Sequence, residues 1–318
     1  MLLALAGDTM LGRGVAELLR REPARRLFAE EVAEITRGAD LFVLNLECCI
    51  SERGERFPDP DKPFFFRAPP AAADTLAALG VDCVTLANNH ALDYGPFALL
   101  DTLGYLDEAD IAWVGAGPDV ATARASLVLE GAGMRLRVTG VTDHPAAYAA
   151  TSTRPGVAYA DLRREGLPDW LREAARPGGD ADATLVTPHW GPNMHGAPVP
   201  HVLAAADALV DAGATLVAGH SAHVFQGVAP PVLYDLGDFI DDYRVDDTLR
   251  NDLGLLFLVE IDTEVRSIEA VPLRLDYAHT RIAPAEDAEA IERRFAERCA
   301  SEGTSVQADG RRLVVTGS

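Results

Sequence analysis

Cations are scarce in this chain: 28 Lys+Arg face 49 Asp+Glu, for a net charge of -21. That balance leaves no excess of positive side chains to displace counterions from a phosphate backbone. It excludes nucleic acid as a partner and opposes anionic membrane surfaces. Long apolar runs are lacking as well, since no uncharged stretch approaches the ~20 residues needed to span a bilayer. No basic segment followed by an apolar one precedes Gly7-Asp8. A signal peptide is therefore not expected, and a cytoplasmic location is. Cysteine is sparse, and Cys48, Cys49, Cys83 and Cys299 lack metal-ligand spacing, so reduced thiols are expected. What remains is ordinary for a globular protein: 318 residues, 48% hydrophobic and 24% charged, enough for one large domain.

Strand and helix patterns alternate along most of the chain. Short apolar runs predict strands at Leu2 to Ala6, Leu41 to Leu44, Cys83 to Ala87, Thr184 to Thr187 and Leu216 to Ala218. Helical spacing predicts helices at Gly12 to Arg21, Phe28 to Thr36, Ala71 to Leu79, Pro96 to Glu108 and Pro200 to Ala212. Gly131-Ala132-Gly133 between Ser126 to Glu130 and Arg135 to Val141 predicts a β-hairpin. Val232 to Tyr234, Leu255 to Ile261 and Ile268 to Leu275 read as strands without long helices between them. The mixture predicts an α/β fold, two sheets packed face to face with helices outside. One domain is expected over 1–280. A helix (Ala285 to Cys299) and a strand (Arg312 to Val315) form a 281–318 extension packed on it. Arg53 to Pro70, rich in Pro, Phe and charge, reads as a long loop near the site.

Five of these strands run into residues that bind metals. The chain reads Gly7-Asp8, Asn45-Leu46-Glu47, Asn88-Asn89-His90, His189-Trp190-Gly191 and Gly219-His220-Ser221-Ala222-His223 directly after apolar runs. In open α/β sheets, ligands bind beyond the carboxyl ends of the strands. Taken singly, Asp8 reads as a helix N-cap, Asn88-Asn89 as a turn and His189 as a structural histidine. Their joint occurrence at strand ends reads as a metal site. Asp8, Glu47, Asn89, His189, His220 and His223 are the candidate ligands, for one or two divalent ions of the Zn, Mn or Fe kind. His90, beside Asn89, suits proton transfer. Asn45, Asn88, Asp143, His144, Trp190 and Asp238 are candidates for substrate contact or support of the ligands. His195 and His201 flank the His189 loop and are candidates for substrate contact.

These motifs, together with Thr9-Met10-Leu11, Asp93-Tyr94-Gly95 and Leu236-Gly237-Asp238-Phe239, resemble the CapA family of poly-γ-glutamate capsule biosynthesis proteins. That family is similar to calcineurin-like metallophosphoesterases. The resemblance runs from about Gly7 to Phe239. It implies a metallophosphoesterase-like two-sheet sandwich flanked by helices. It further implies that Asp8 and His223 hold one metal, Asn89, His189 and His220 another, and Glu47 bridges them. His90 would protonate a leaving group. Met10 stands where the phosphoesterases usually carry a ligating His, and Glu47 where they carry Asp. One tight metal with weaker occupancy of the second position is the resulting expectation.

Three activities follow as expectations. The first is a metal-dependent hydrolase, of phosphoester type, acting on a small-molecule or peptide substrate. The second is epimerisation of a peptide or amino acid by proton transfer at an α-carbon, with Asp8, His90 or His223 as the exchanging group. The third is a non-catalytic subunit that binds a γ-linked glutamate polymer.

Overall fold

The computed structural model describes residues 1–21 and 27–316. Among these, a ten-stranded and a six-stranded sheet form the frame. In the larger sheet, Leu2–Thr9, Leu41–Leu46, Cys83–Thr85 and Ala112–Val114 run parallel and side by side. Leu253–Ile261 and Val265–Asp276 continue it antiparallel on the other flank of Leu2–Thr9. In the smaller sheet, Met134–Thr142, Ala183–His189, Leu216–Ala218 and Val232–Leu233 run parallel.

The continuous apolar runs arise because both faces of each sheet are covered. Side chains alternate across the first strand. Leu3 and Leu5 enter the layer between the sheets with Leu136, Val138, Leu185 and Leu216. Ala4 and Ala6 face the opposite way, into the core beneath the helices with Val15, Val32 and Leu76.

The hairpin forms as expected between Leu127–Gly131 and Met134–Thr142. Ala132 and Gly133, at φ 48° and 76°, make its turn, the both-positive geometry that matches strand twist. The C-terminal residues join the same frame. The hairpin Ser305–Asp309 and Arg312–Thr316 extends the larger sheet at Val265–Asp276. The helix Ala285–Ser301 buries Phe295 against Phe225 and Phe257, ring centroids 6.0 and 5.9 Å away. Phe295→Ala should therefore lower unfolding free energy by about 3–5 kcal/mol, read as a shifted denaturant midpoint.

Several boundaries differ from the sequence reading. The first strand extends through Asp8 to Thr9 because Asp238–Ile240 pairs with its end. Tyr234 falls outside its strand. The Arg53 to Pro70 segment is mostly irregular, yet Arg67–Ala68 pairs with Cys49–Ile50. The short helices Val120–Arg124 and Asp169–Ala174 and the strand His279–Ile282 carry too little periodicity to be read in advance. No helix among the described residues is long and apolar enough to cross a membrane. All four cysteines are buried and free.

Candidate metal centre

Strand ends from both sheets meet at one buried cluster. Asp8 reaches it through a bulge: the register with Leu41–Leu46 slips between Ala6 and Asp8. The Asp8 N–H donates to the Gly237 carbonyl at 2.8 Å. A Cβ on Gly7 would lie 1.7 Å from that same oxygen, so only glycine permits the approach that turns Asp8 inward. Gly219 is required similarly, its Cβ position lying 2.1 Å from the Tyr234 oxygen and 2.4 Å from Trp190 Nε1. Beyond it the chain is strained, with Ser221 at φ 114° and His223 at φ 57°. Non-glycine residues held in this region gather at functional sites.

The two imidazoles after Gly219 both face Asp8. His220 Nδ1 lies 3.8 Å from its Oδ1, and His223 Nδ1 3.2 Å from its Oδ2. Glu47 occupies the middle. Its Oε1 is 3.8 Å from His90 Nε2 and 3.9 Å from His189 Nε2, and its Oε2 is 4.0 Å from His223 Nδ1. Ligand atoms of Asp8, Glu47 and His223 all lie within 4.8 Å of one another. The cluster is closed to solvent, with Asp8 and Glu47 at 0% exposure.

The donor set fits a divalent cation. Glu47 Oε1 and Oε2, Asn89 Oδ1, His189 Nε2, His220 Nδ1, His223 Nε2 and Asp238 Oδ2 are buried without a hydrogen-bond partner among the described residues. Each such group costs about 1–3 kcal/mol when left unpaired. A divalent cation would satisfy such donors, and mixed N/O sets suit Zn, Mn or Fe.

Electrostatics agree. Burial, reinforced by the Asp8 charge, pushes the Glu47 carboxyl well above its ordinary range. Burial pulls His189 well down, and His220 down to about 4. Burial also opposes ionisation of Asp8, yet the His223 hydrogen bond and the surrounding imidazoles hold its carboxyl low. His223 is opposed by burial too, but Asp238, Tyr243 and Glu47 raise it well above its usual value. Both upward shifts favour the protonated forms of Glu47 and His223, and a cation binding there would displace such protons.

Supporting contacts fix the candidates in position. Asn45 donates to Asp8 Oδ1 at 2.7 Å, sits 3.4 Å from His189 Nδ1 and accepts from Asn88 Nδ2 at 2.9 Å. Asn88 also holds the His90 N–H at 3.0 Å. Asp238, paired in register with Asp8, lies 2.9 Å from His223 Nδ1. Asn89 presents its unpartnered Oδ1, while its backbone oxygen accepts from Lys62 Nζ at 2.6 Å. Trp190 donates to the Tyr234 carbonyl at 2.9 Å and is 2% exposed, so it braces the loops from behind. Asp143 is placed differently. It bonds His144 Nδ1, and His201 Nε2 at 3.1 Å, beside a cleft of about 500 Å³. The His144 ring reaches His189 at 5.3 Å between centroids. His195 is exposed and touches its own loop at Asn193.

Two residues of the site were given no role from the sequence, although Asp93 stands in one of its motifs. Asp93 Oδ2 holds His90 Nδ1 at 2.6 Å, and the His-x-x-Asp spacing was the available signal. Lys62 Nζ pairs with Asp93 Oδ1 at 3.2 Å. It is the only lysine in the sequence, a second signal for the segment that carries it.

A two-sheet α/β sandwich with such a cluster at its strand ends is a metallophosphoesterase-like fold. The chain is matched over residues 2–243 by the family described as bacterial capsule synthesis protein PGA_cap, and it belongs to that family. It is 33% identical to a probable polyglutamine synthesis accessory protein of Mycobacterium tuberculosis, over 90% of this chain and 87% of that protein. It is 30% identical to the capsule biosynthesis protein CapA of Bacillus anthracis, over 86% of this chain and 67% of that one. For the PGA biosynthesis protein CapA of Bacillus subtilis the identity is 29%, over 75% and 63%. A crystal structure of a hypothetical protein from Thermus thermophilus shares the fold. Its TM-score is 0.51 at 16% identity, covering 86% of this chain and 99% of that one.

Proposed function

We propose that this chain is a metal-dependent hydrolase of phosphoester type, working in the assembly of a glutamate-based capsule polymer. The observation that carries the chemistry is the convergence of Asp8, Glu47, His189, His220 and His223 with their unpartnered buried atoms. The names of the relatives support the setting. Asp8, Glu47, His223, His189, His220 and Asn89 would hold the metal. When bound, a divalent ion there supplies a water of lowered pKa and polarises the scissile group. The protein's own part is proton delivery. Asp93 engages His90 Nδ1, so Nε2, turned toward Glu47, is the atom that passes a proton to the leaving oxygen.

Elemental analysis of the wild type and of His220→Ala tests this reading together with a panel of phosphomonoesters and phosphodiesters. One or two ions per chain, depleted in the variant, and turnover of a phosphoester are expected. A protein that stays metal-free after reconstitution, or a loaded one inert on the whole panel, would overturn it. Chelation should also cost stability, about 2.7 kcal/mol at a metal concentration of 100 times Kd, seen as a fall in Tm.

A second reading has its own support. Two imidazoles of the cluster are each gripped by a carboxylate, His90 by Asp93 and His223 by Asp238. Two-base proton exchange at an α-carbon needs such a pair. Deuterium entering a γ-glutamyl peptide from heavy water would favour epimerisation, and its absence across a peptide series would remove it.

A further inference from the structure

Gly12-Arg13-Gly14 opens the first helix, and the centre described above leaves it unused. Arg13 stands at the start of the helix Arg13–Arg21 with φ 50°, an unusual conformation for a non-glycine residue. At Gly12 the neighbour is backbone: a Cβ there would lie 2.7 Å from Phe66 Cα. At Gly14 it is side-chain ends, Tyr277 Oη at 2.0 Å and Asp242 Oδ2 at 2.9 Å. The close approach of the Gly12 and Phe66 backbones brings Arg13 into a ring of aromatics. Its guanidinium carbon is 5.2 Å from the Phe64 centroid, 5.5 Å from Phe66 and 5.7 Å from Tyr243. Three rings at these distances attract the cation and hold it in place.

Two of those rings lead directly to the centre. Phe66 meets His90 edge-on at 4.6 Å, and Tyr243 meets His223 at 5.3 Å. Arg13 thus sits one ring away from both imidazoles. Its side chain is 35% exposed, whereas His90 and His223 are 5% and 2% exposed. Asp242 engages the Arg13 Nε at 3.3 Å. Among the described residues no hydrogen bond is made by Nη1 or Nη2. A guanidinium offering those two nitrogens can take an oxyanion through two parallel hydrogen bonds.

We infer that Arg13 recognises an anionic group, carboxylate or phosphate, on the substrate of the buried centre. The inference rests on the reading of that centre as the reactive site, and it narrows the substrate class to anions. Because the protein's overall charge of -21 repels anions at long range, a fixed local cation would be needed to admit one.

The test is calorimetric titration of the protein, metal-loaded and metal-free, with inorganic phosphate and separately with glutarate. Wild type, Arg13→Gln and Arg13→Lys are compared, with metal content and Tm recorded for each. Saturable binding of at least one probe is expected. It should weaken about tenfold or more in Arg13→Gln and by less in Arg13→Lys, which keeps charge but loses the planar fork, at unchanged metal content. Phosphate alone would point to a phosphorylated substrate, and glutarate alone to a carboxylate. Equal binding by all three proteins, or no binding of either probe by wild type, would overturn the inference. Should Arg13→Gln fail to fold, Arg13→Lys decides: affinity equal to wild type counts against the role. Arg13-dependent binding in a protein that takes up no metal would sink the hydrolase and spare the recognition role. Metal uptake with Arg13-independent binding would do the reverse.

Discussion

Glu47→Gln is expected to lower metal affinity by more than about 100-fold, beyond the 10–100-fold typical of losing a residue that merely supports a ligand. Glu47 stands between three imidazoles, with His90, His189 and His223 each 3.8–4.0 Å from one of its oxygens. Both oxygens are buried and unpartnered in the protein. Glutamine keeps the size and one oxygen but loses the charge, and its amide N–H would point at the place of the cation. The same change removes a buried carboxyl whose ionisation burial already disfavours. The metal-free variant should therefore unfold at a Tm equal to or above that of the metal-free wild type. Competition titration against a chromogenic chelator, with Tm measured on both apo-proteins, checks the pair of effects. Unchanged affinity would remove Glu47 from the ligand set.

His90→Asn is expected to reduce kcat by about 10²–10⁴-fold, the usual range for general acid–base catalysis, while metal content stays at the wild-type level. The reduction should be steepest for substrates whose leaving group has a high pKa, because those depend most on a delivered proton. Asp93→Asn should act in the same direction through loss of the 2.6 Å contact to His90 Nδ1. Asp93 also accepts from the Phe66 N–H and from the Tyr148 hydroxyl, so its variant should lose stability as well, which His90→Asn should not. A kcat loss in His90→Asn that is the same for every leaving group would assign His90 to positioning instead.

Much of the frame was legible locally. The strand Leu216–Ala218 and the helix Pro200–Ala212 have the boundaries that their patterns predict. Gly7-Asp8 and Gly219-His220, each directly after an apolar run, marked the strand ends that carry Asp8 and His220. The pairings around the ligands were not legible. Asp238 reads locally as a candidate for support of the ligands, but its partner cannot be read there, and it faces His223 because its strand lies in register with Asp8. Lys62 and Phe66 lie in a segment without periodicity, yet they clasp Asp93 and His90. Asp143 was read as a candidate for substrate contact or support of the ligands, and only the structure shows that it engages His144 and His201.

The sequence by itself determined the family, the alternation of strands and helices, and the stock of metal-binding side chains at strand ends. These are properties of neighbours along the chain: side-chain periodicity and ligand types next to apolar runs. Tertiary structure alone decided which carboxylate holds which imidazole and that Arg13 is caged beside the site. Such contacts join residues as distant as Asp8 and Ser221, 213 positions apart. They are set by sheet register and by the closure of long loops, which no local pattern encodes.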